Sequence, residues 1–269
     1  MTLPPLREVI ARHGLDARRK LGQHFLLDLN LTASIVRQAG PLAGRHVVEV
    51  GPGPGGLTRA LLDSDAAHVT AVEIDERAIV ALRELPAERL TIVSGDAMRR
   101  DLTELAASPR QIVANLPYNV ASPLLVGWLR QAGAWERMTL MFQLEVAERI
   151  CAAPDTEAYG RLSVLAQWLC RTELRLRIPP GAFVPPPKVF SAVVVLTPHA
   201  VQPPPDLFAA MERLTAAAFG QRRKMLRGSL RALGGEALLA RAGIAPERRA
   251  ETLSVGEFEL LARQTQQAG

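Results

Sequence analysis

Asn115-Leu116-Pro117-Tyr118 follows the apolar run Ile112-Val113-Ala114. An apolar run that passes into a polar residue, a proline and an aromatic reads as a buried strand with a stiffened end. Pro117 fixes its own φ and pushes Leu116 out of helical space, so carbonyl groups there point outward instead of pairing. The amide oxygen of Asn115 and the main-chain oxygen of Leu116 then form a pair of acceptors, with the flat face of Tyr118 beside them. Such a pair suits the exocyclic amine of a nucleobase, and an aromatic ring suits its face. A strand followed by an ordinary Asn/Pro turn is the plainer description of the same four residues. The elements around the stretch have to decide between them.

Those elements repeat a βα rhythm. His46-Val47-Val48-Glu49-Val50 reads as a strand that feeds into Gly51-Pro52-Gly53-Pro54-Gly55-Gly56, and Leu57, Ala60 and Leu61 begin a helix. Strand, glycine-rich turn and helix form the nucleotide-binding opening of a doubly wound fold, where side chains would hold a ligand off the backbone. A second strand, His68 to Val72, ends in Glu73, placed to accept both hydroxyls of a ribose. A helix from near Glu76, the strand Leu90 to Val93 and then Gly95-Asp96 extend the series. Asp96, at a strand end, is placed to accept from an adenine amine.

Gly51, Gly53 and Gly56 also satisfy the GxGxxG pattern of dinucleotide sites, so the glycines alone do not separate NAD from S-adenosylmethionine. Three features favour the sulfonium cofactor. Glu49 sits two residues before Gly51, where it would meet an ammonium and repel a pyrophosphate. Pro52 and Pro54 stiffen the turn without N–H donors for phosphate. Asn115-Leu116-Pro117-Tyr118 serves no purpose in hydride transfer.

The remaining chain frames this centre. Leu6, Val9 and Ile10 make a short amphipathic helix before Gly14. Arg18-Arg19-Lys20 leads into Leu21-Gly22-Gln23-His24-Phe25-Leu26, which the residues alone present as a docked terminus in preference to a ligand lid. Asp28 or Asn30 caps a helix that Gly40-Pro41 ends. Met138 to Phe142 reads as a strand, Gln143 to Ile150 as a helix with Glu145 and Glu148 on a solvated face, Arg161 to Cys170 as a helix, and Leu174 to Ile178 as a strand. Phe183-Val184-Pro185-Pro186-Pro187-Lys188 is a stiff loop whose Phe183 either presses on a base opposite Tyr118 or plugs the core. Ser191 to Leu196 is a central-type strand. After the proline-rich stretch 198–205 the pattern is helical over Leu207–Phe219, Lys224–Leu233, Glu236–Ala242 and Val255–Gln264. There Arg222, Arg223, Lys224, Arg227 and Arg231 form a basic ridge suited to phosphate.

Composition sets the outer bounds. The 269 residues are 48% hydrophobic and carry a net charge of +5, and 29 of the 32 cationic residues are arginine, whose fork matches phosphate oxygens. No apolar run approaches a membrane span. Cys151 and Cys170 lack paired spacing, which fits buried thiols in a reducing compartment and neither a disulfide nor a metal site. The N-terminus lacks a secretory h-region, and Glu8 and Asp16 argue against a transit peptide, so a cytoplasmic location is expected.

Taken together these segments resemble the ribosomal small-subunit RNA adenine dimethyltransferases of the KsgA/RsmA type. The likeness spans nearly the whole chain. It rests on Lys20 to Leu26, Val48-Glu49-Val50-Gly51-Pro52-Gly53, Val72-Glu73-Ile74-Asp75, Gly95-Asp96-Ala97, Asn115-Leu116-Pro117-Tyr118-Asn119, Tyr159-Gly160-Arg161-Leu162-Ser163, Phe183-Val184-Pro185-Pro186-Pro187-Lys188-Val189 and Gln221-Arg222-Arg223-Lys224. The resemblance implies an α/β, Rossmann-like class I methyltransferase with a seven-stranded, mostly parallel sheet over 1–198, and a small all-α RNA-binding domain over 199–269. It implies S-adenosylmethionine contacts at His24 (where many members carry Asn), Leu26, Gly51, Glu73, Asp96 and Asn115, and turns Lys20–Leu26 into a cofactor lid. Asn115, Leu116, Pro117, Tyr118 and Phe183 are then expected to be catalytic. Lys188, Arg222, Arg223, Lys224 and Arg227 are expected to meet RNA, and no metal is called for. The implied reaction makes N6,N6-dimethyladenosine at two adjacent adenosines near the 3′ end of 16S rRNA, within the 30S subunit or its precursor, by an enzyme expected to be monomeric. A resistance methyltransferase of large-subunit RNA shares these motifs. An assembly factor with secondary catalysis and a DNA adenine methyltransferase are the other readings.

Overall fold

The chain opens with α1 (Leu6–Arg12), a two-residue strand β1 (Phe25–Leu26) and α2 (Leu29–Gln38) in a computed structural model that describes residues 3–15, 24–86, 88–221 and 223–266. Asp28 caps α2, its carboxylate accepting from Asn30 N at 2.8 Å and Leu31 N at 3.3 Å. The expected βα series follows as β2 (His46–Val50), α3 (Gly56–Leu62), β3 (His68–Glu73), α4 (Glu76–Leu82), β4 (Leu90–Ser94) and β5 (Arg110–Asn115). Then come α5 (Ala121–Leu129), β6 (Arg137–Gln143), α6 (Leu144–Cys151), α7 (Arg161–Leu169), β7 (Cys170–Ile178), β8 (Phe183–Val184) and β9 (Ser191–Pro198). Strand β7 starts four residues before the Leu174 expected from sequence, because Cys170 is already extended and α7 passes straight into it.

Seven strands form one sheet in the order β4-β3-β2-β5-β6-β9-β7. The pairs β2–β3, β3–β4, β2–β5 and β5–β6 are parallel, and β9 runs antiparallel to β6. Val47, Val48, Val69, Ala71, Ile112, Val113 and Leu140 are buried, which is why these strands read as continuous apolar runs and not as alternating ones. The chain winds outward from β2 to β4, then returns to β5 on the other side of β2. The carboxyl ends of β2 and β5 therefore part at a topological switch point, the place where open α/β sheets bind ligands. A second, two-stranded sheet pairs β1 with β8, Phe25 opposite Val184 and Leu26 opposite Phe183.

The C-terminal residues form α8 (Pro205–Phe219), α9 (Leu226–Ser229), α10 (Gly235–Arg241) and α11 (Val255–Gln266). The helix expected over Lys224–Leu233 divides into the four residues of α9 and a 3-10 turn over Arg231–Leu233. The N–H groups of Leu226 and Arg227 go to Arg248 O at 2.7 Å and Pro246 O at 3.1 Å, so the main chain there is tied to another segment. Gly234 and Gly235, with φ of +111° and +50°, then turn the chain into α10. The chain groups into two compact units, neither continuous in sequence. One comprises 1–127, 133–147 and 173–197; the other comprises 128–132, 148–172 and 198–269. The division expected near 198 is thus one of several places where the chain passes between them. Among the described residues no helix is long and apolar enough to cross a membrane.

At the amino ends of β2 and β3 a small polar cluster closes the sheet. His46 Nδ1 accepts from Ala107 N at 3.1 Å while its Nε2 lies 2.9 Å from Thr70 Oγ1. The His68 ring stands edge-on to it, 4.8 Å between centroids. Burial, His68 and Arg110 hold the His46 imidazole below the usual histidine range, and a proton on Nδ1 would face the Ala107 N–H. The folded state therefore binds that proton less readily than the unfolded chain. Its contribution to stability is present above the unfolded pKa of about 6.5 and is lost as pH falls. Thermal melts between about pH 7.5 and 5.5 are expected to show a steeper fall in Tm for the native protein than for His46→Gln.

Candidate active site

A cleft of about 260 Å³ opens at the carboxyl ends of β2 to β5. His24, Leu26, Gly51, Glu73, Asp96 and the whole run Asn115 to Tyr118 line it. Gly51, Glu73, Asp96 and Asn115 to Tyr118 meet there because each follows or ends a parallel strand, and β1 brings His24 and Leu26 to the same place. Phe183 is not part of the lining.

The floor is the glycine turn. Gly51 and Gly53 have φ of +69° and +54°, a region that costs an L-residue strain. A Cβ on Gly53 would stand 3.0 Å from the Phe25 ring, and one on Gly56 would stand 2.6 Å from Leu26 O. The second approach is closer than real carbon atoms come. It is the means by which β1 lies across the turn. Glu73 holds the turn from the other side. Its Oε2 accepts from Gly53 N at 3.0 Å, and its Oε1 accepts from Ile74 N at 2.8 Å and Asp75 N at 2.9 Å. Burial raises the Glu73 carboxyl above its ordinary range and those N–H groups oppose the rise. Asp96 accepts from Met98 N at 2.9 Å, which fixes it at the rim.

Glu49 lines the same cleft and is buried, and its Oε2 has no hydrogen-bond partner among the described residues. Burial pushes its carboxyl up to about 8, and Glu73 nearby adds to the rise. A buried carboxyl with one oxygen unpartnered is a costly arrangement that a cation relieves and a phosphate aggravates. The acid that sequence placed opposite a ligand ammonium is thus available for one. A carboxyl at the glycine turn, a second at the end of β3 and an open main chain between them fit S-adenosylmethionine.

At the end of β5 the side chains are held by residues distant in sequence. Asn115 Nδ2 donates to His24 O at 3.3 Å, which leaves the amide oxygen at the opposite end of the group. Tyr118 OH lies 2.6 Å from Ser191 Oγ at the start of β9, and burial raises the phenol above its usual value. The His24 ring lies 5.2 Å from that of Tyr118, tilted by 32°, and 6.4 Å from that of Phe183, edge-on at 79°. His24 Nδ1 lies 2.8 Å from Pro185 O; as the carbonyl can only accept, Nδ1 carries the hydrogen. His24 therefore bridges Tyr118 and Phe183, which sequence set as opposing faces. Phe183 is 2% exposed and packs in the core with Leu26, as the plug reading described. Ser191 and the Pro185 carbonyl were not singled out from sequence. Only the isolated hydroxyl at the head of an apolar strand marked Ser191.

Of the cations expected at RNA, Lys188 is exposed on the proline loop, and Arg223, Lys224 and Arg227 are exposed around the start of α9. Lys224 lies in a turn whose N–H bonds Gln221 O, so the three do not share one helical face. Arg227 stands 3.9 Å from Glu236, both well exposed, a pair of little energetic weight. Arg222 and the Lys20–Gln23 part of the lid segment lie outside the described residues.

The model of the family described as ribosomal RNA adenine dimethylase matches residues 14–267. The chain is 64% identical over 265 residues to ribosomal RNA small subunit methyltransferase A of Gluconobacter oxydans (strain 621H), covering 97% of this chain and 88% of that one. Among solved structures it is similar to a dimethyladenosine transferase from Plasmodium falciparum, with 24% identity, a TM-score of 0.74 and coverage of 88% and 96% of the two chains. It is also similar to the 23S rRNA methyltransferase ErmE, with 26% identity, a TM-score of 0.67 and coverage of 90% and 99%.

Glu73 gives the first test of the site. In Glu73→Gln one oxygen becomes an NH2 that faces a backbone N–H, so a buried donor loses its acceptor at a cost of about 1–3 kcal/mol. A lower Tm and weaker S-adenosylmethionine binding by calorimetry are expected together.

Proposed function

This chain belongs to the ribosomal RNA adenine dimethylase family, and on that premise we propose that it dimethylates the N6 amine of two adjacent adenosines near the 3′ end of 16S rRNA. The substrate is the RNA within the 30S subunit or its precursor, and the enzyme acts in the cytoplasm as a monomer. S-adenosylmethionine supplies the methyl group as an electrophilic carbon on a sulfonium. The observation that carries the reading is the unpartnered Oε2 of Glu49 and the Asn115–Tyr118 run in one cleft. The small-subunit assignment draws on the relative that is 64% identical and named for that subunit.

In this reading Glu49 faces the ligand ammonium and Glu73 the ribose hydroxyls. Asp96 takes the cofactor's adenine amine, and Gly51, Leu26 and His24 form the floor and cover. The target adenine amine is a poor nucleophile, because its lone pair is delocalised into the ring. Asn115 Oδ1 and the Leu116 carbonyl accept its two hydrogens and favour a pyramidal nitrogen. The lone pair then points along one direction, and rate is gained through orientation and electrostatics. No base is needed beforehand: as the N–C bond forms the methyl group's bond to sulfur would break, its electron pair staying on a neutral thioether, and the amine proton thereby becomes acidic and passes to water. Pro117 keeps both acceptors extended. Tyr118 stacks on the target ring on the face that His24 covers in the free protein, and Phe183 backs the slot when His24 turns aside. Lys188, Arg222, Arg223, Lys224 and Arg227 take phosphates, and the monomethylated amine re-enters the same slot for the second transfer.

The deciding experiment is methyl transfer from labelled S-adenosylmethionine to unmethylated small subunits, followed by digestion and nucleoside analysis. Dimethyladenosine confined to small-subunit RNA is expected. Label in large-subunit RNA would overturn the substrate assignment. For Asn115→Ala, transfer is expected to fall on the order of 100-fold, by analogy with loss of one preorganised polar group, while the cofactor still binds. Near-normal transfer would remove Asn115 from the mechanism.

A further inference from the structure

Phe190 is 48% exposed, and among the described phenylalanines, tyrosines and tryptophans it is the one in the exposed class. The other phenylalanines and the tryptophans are buried or half-buried, so this ring is out of character for the chain. Its main chain is fixed: Phe190 O accepts from Leu144 N at 2.8 Å where β6 passes into α6. The next residue is Ser191, whose hydroxyl holds Tyr118 OH at 2.6 Å. Sheet register gives the location. Asn115 pairs with Met141 on β6, and Gln143, two residues on, pairs with Ser191 on β9. Phe190 therefore stands at the carboxyl rim of the sheet, on the same edge as the cleft and one residue from the group that orients Tyr118. Val184 and Val189, also exposed, and Lys188 share its proline-stiffened loop.

We propose that Phe190 is a stacking platform for the unpaired nucleobase that adjoins the target adenosine in the RNA strand, with Lys188 on the phosphate beside it. The inference rests on the RNA-methylating reading above and extends its binding site past the target base. An exposed ring held by a fixed main chain loses little freedom when a base covers it, and every base offers a face to stack on. The cation two residues away suits the backbone of that strand. A continuous path from Tyr118 through Ser191 to Phe190 then reads two successive bases with two rings.

The test compares native protein, Phe190→Ala, Phe190→Leu and Phe190→Trp on unmethylated small subunits. For Phe190→Ala and Phe190→Leu, KM for the subunit is expected to rise on the order of 10-fold, with kcat, cofactor affinity and Tm close to native. Phe190→Trp is expected to restore the native KM. An unchanged KM in Phe190→Ala overturns the inference and leaves the parent reading intact. Full rescue by Phe190→Leu also overturns it, since an apolar cover without a ring would then suffice. If the native protein transfers no methyl group to small subunits, the parent reading fails and this inference falls with it.

Discussion

A single carboxylate, accepting hydrogen bonds from the backbone N–H groups of Gly53, Ile74 and Asp75, joins the two strand ends on which the cleft is built. Glu73 replaces the sheet pairing that β2 and β3 give up where they diverge. It does so with a charge-assisted acceptor, the stronger kind of hydrogen bond. The glycine turn has few internal means of holding its shape, because two of its residues are prolines without N–H groups. Its geometry is set from outside, by Glu73 below and by the Leu26 carbonyl against Gly56 above. Glu49, buried beside Glu73, feels its charge. The site is therefore electrostatically incomplete at Glu49, whose Oε2 a bound cation would partner.

Much of this was legible in the chain, for identifiable reasons. Buried parallel strands announce themselves as unbroken runs of Val, Ile and Ala, and a ligand site at their carboxyl ends follows from topology. Glu49, Glu73, Asp96 and Asn115 were thus placed by counting from strand ends. What escaped was set by partners far away in sequence. The pairing of β1 with β8 joins residues 25–26 to 183–184 and has no local signal. The helix expected over Lys224–Leu233 is interrupted because Met225 is extended ahead of α9 and the chain tightens into a 3-10 turn at Arg231–Leu233. Periodicity records only which side chains are buried, and Leu226 and Leu230 are indeed buried. The relation of Tyr118 to Phe183 likewise depends on a third ring, His24, that no spacing rule connects to either.

The slot combines fixed and movable parts. Tyr118 is anchored through its hydroxyl, and Asn115 through its amide nitrogen to a main-chain oxygen. The His24 ring is held by one hydrogen bond to Pro185 O and by ring contacts, interactions worth roughly 1 kcal/mol each. Rearranging the imidazole thus costs far less than moving the strand end that carries Asn115. The division suits a pocket that must hold its acceptors still while it admits and releases a flat ring.

The interleaving of the two compact units has a consequence for how such a molecule can be inherited or dismantled. Residues 148–172 lie, in sequence, inside the stretch that supplies the sheet, yet they build the helical unit. Within that unit Trp168 packs on Phe208, with 6.1 Å between rings, and donates to Glu259 at 3.1 Å. A gene truncated before α8 would strand the buried face of α7, and a gene holding only the C-terminal helices would lack the surface they close upon. The helical unit is therefore no cassette to be gained or shed by one recombination event.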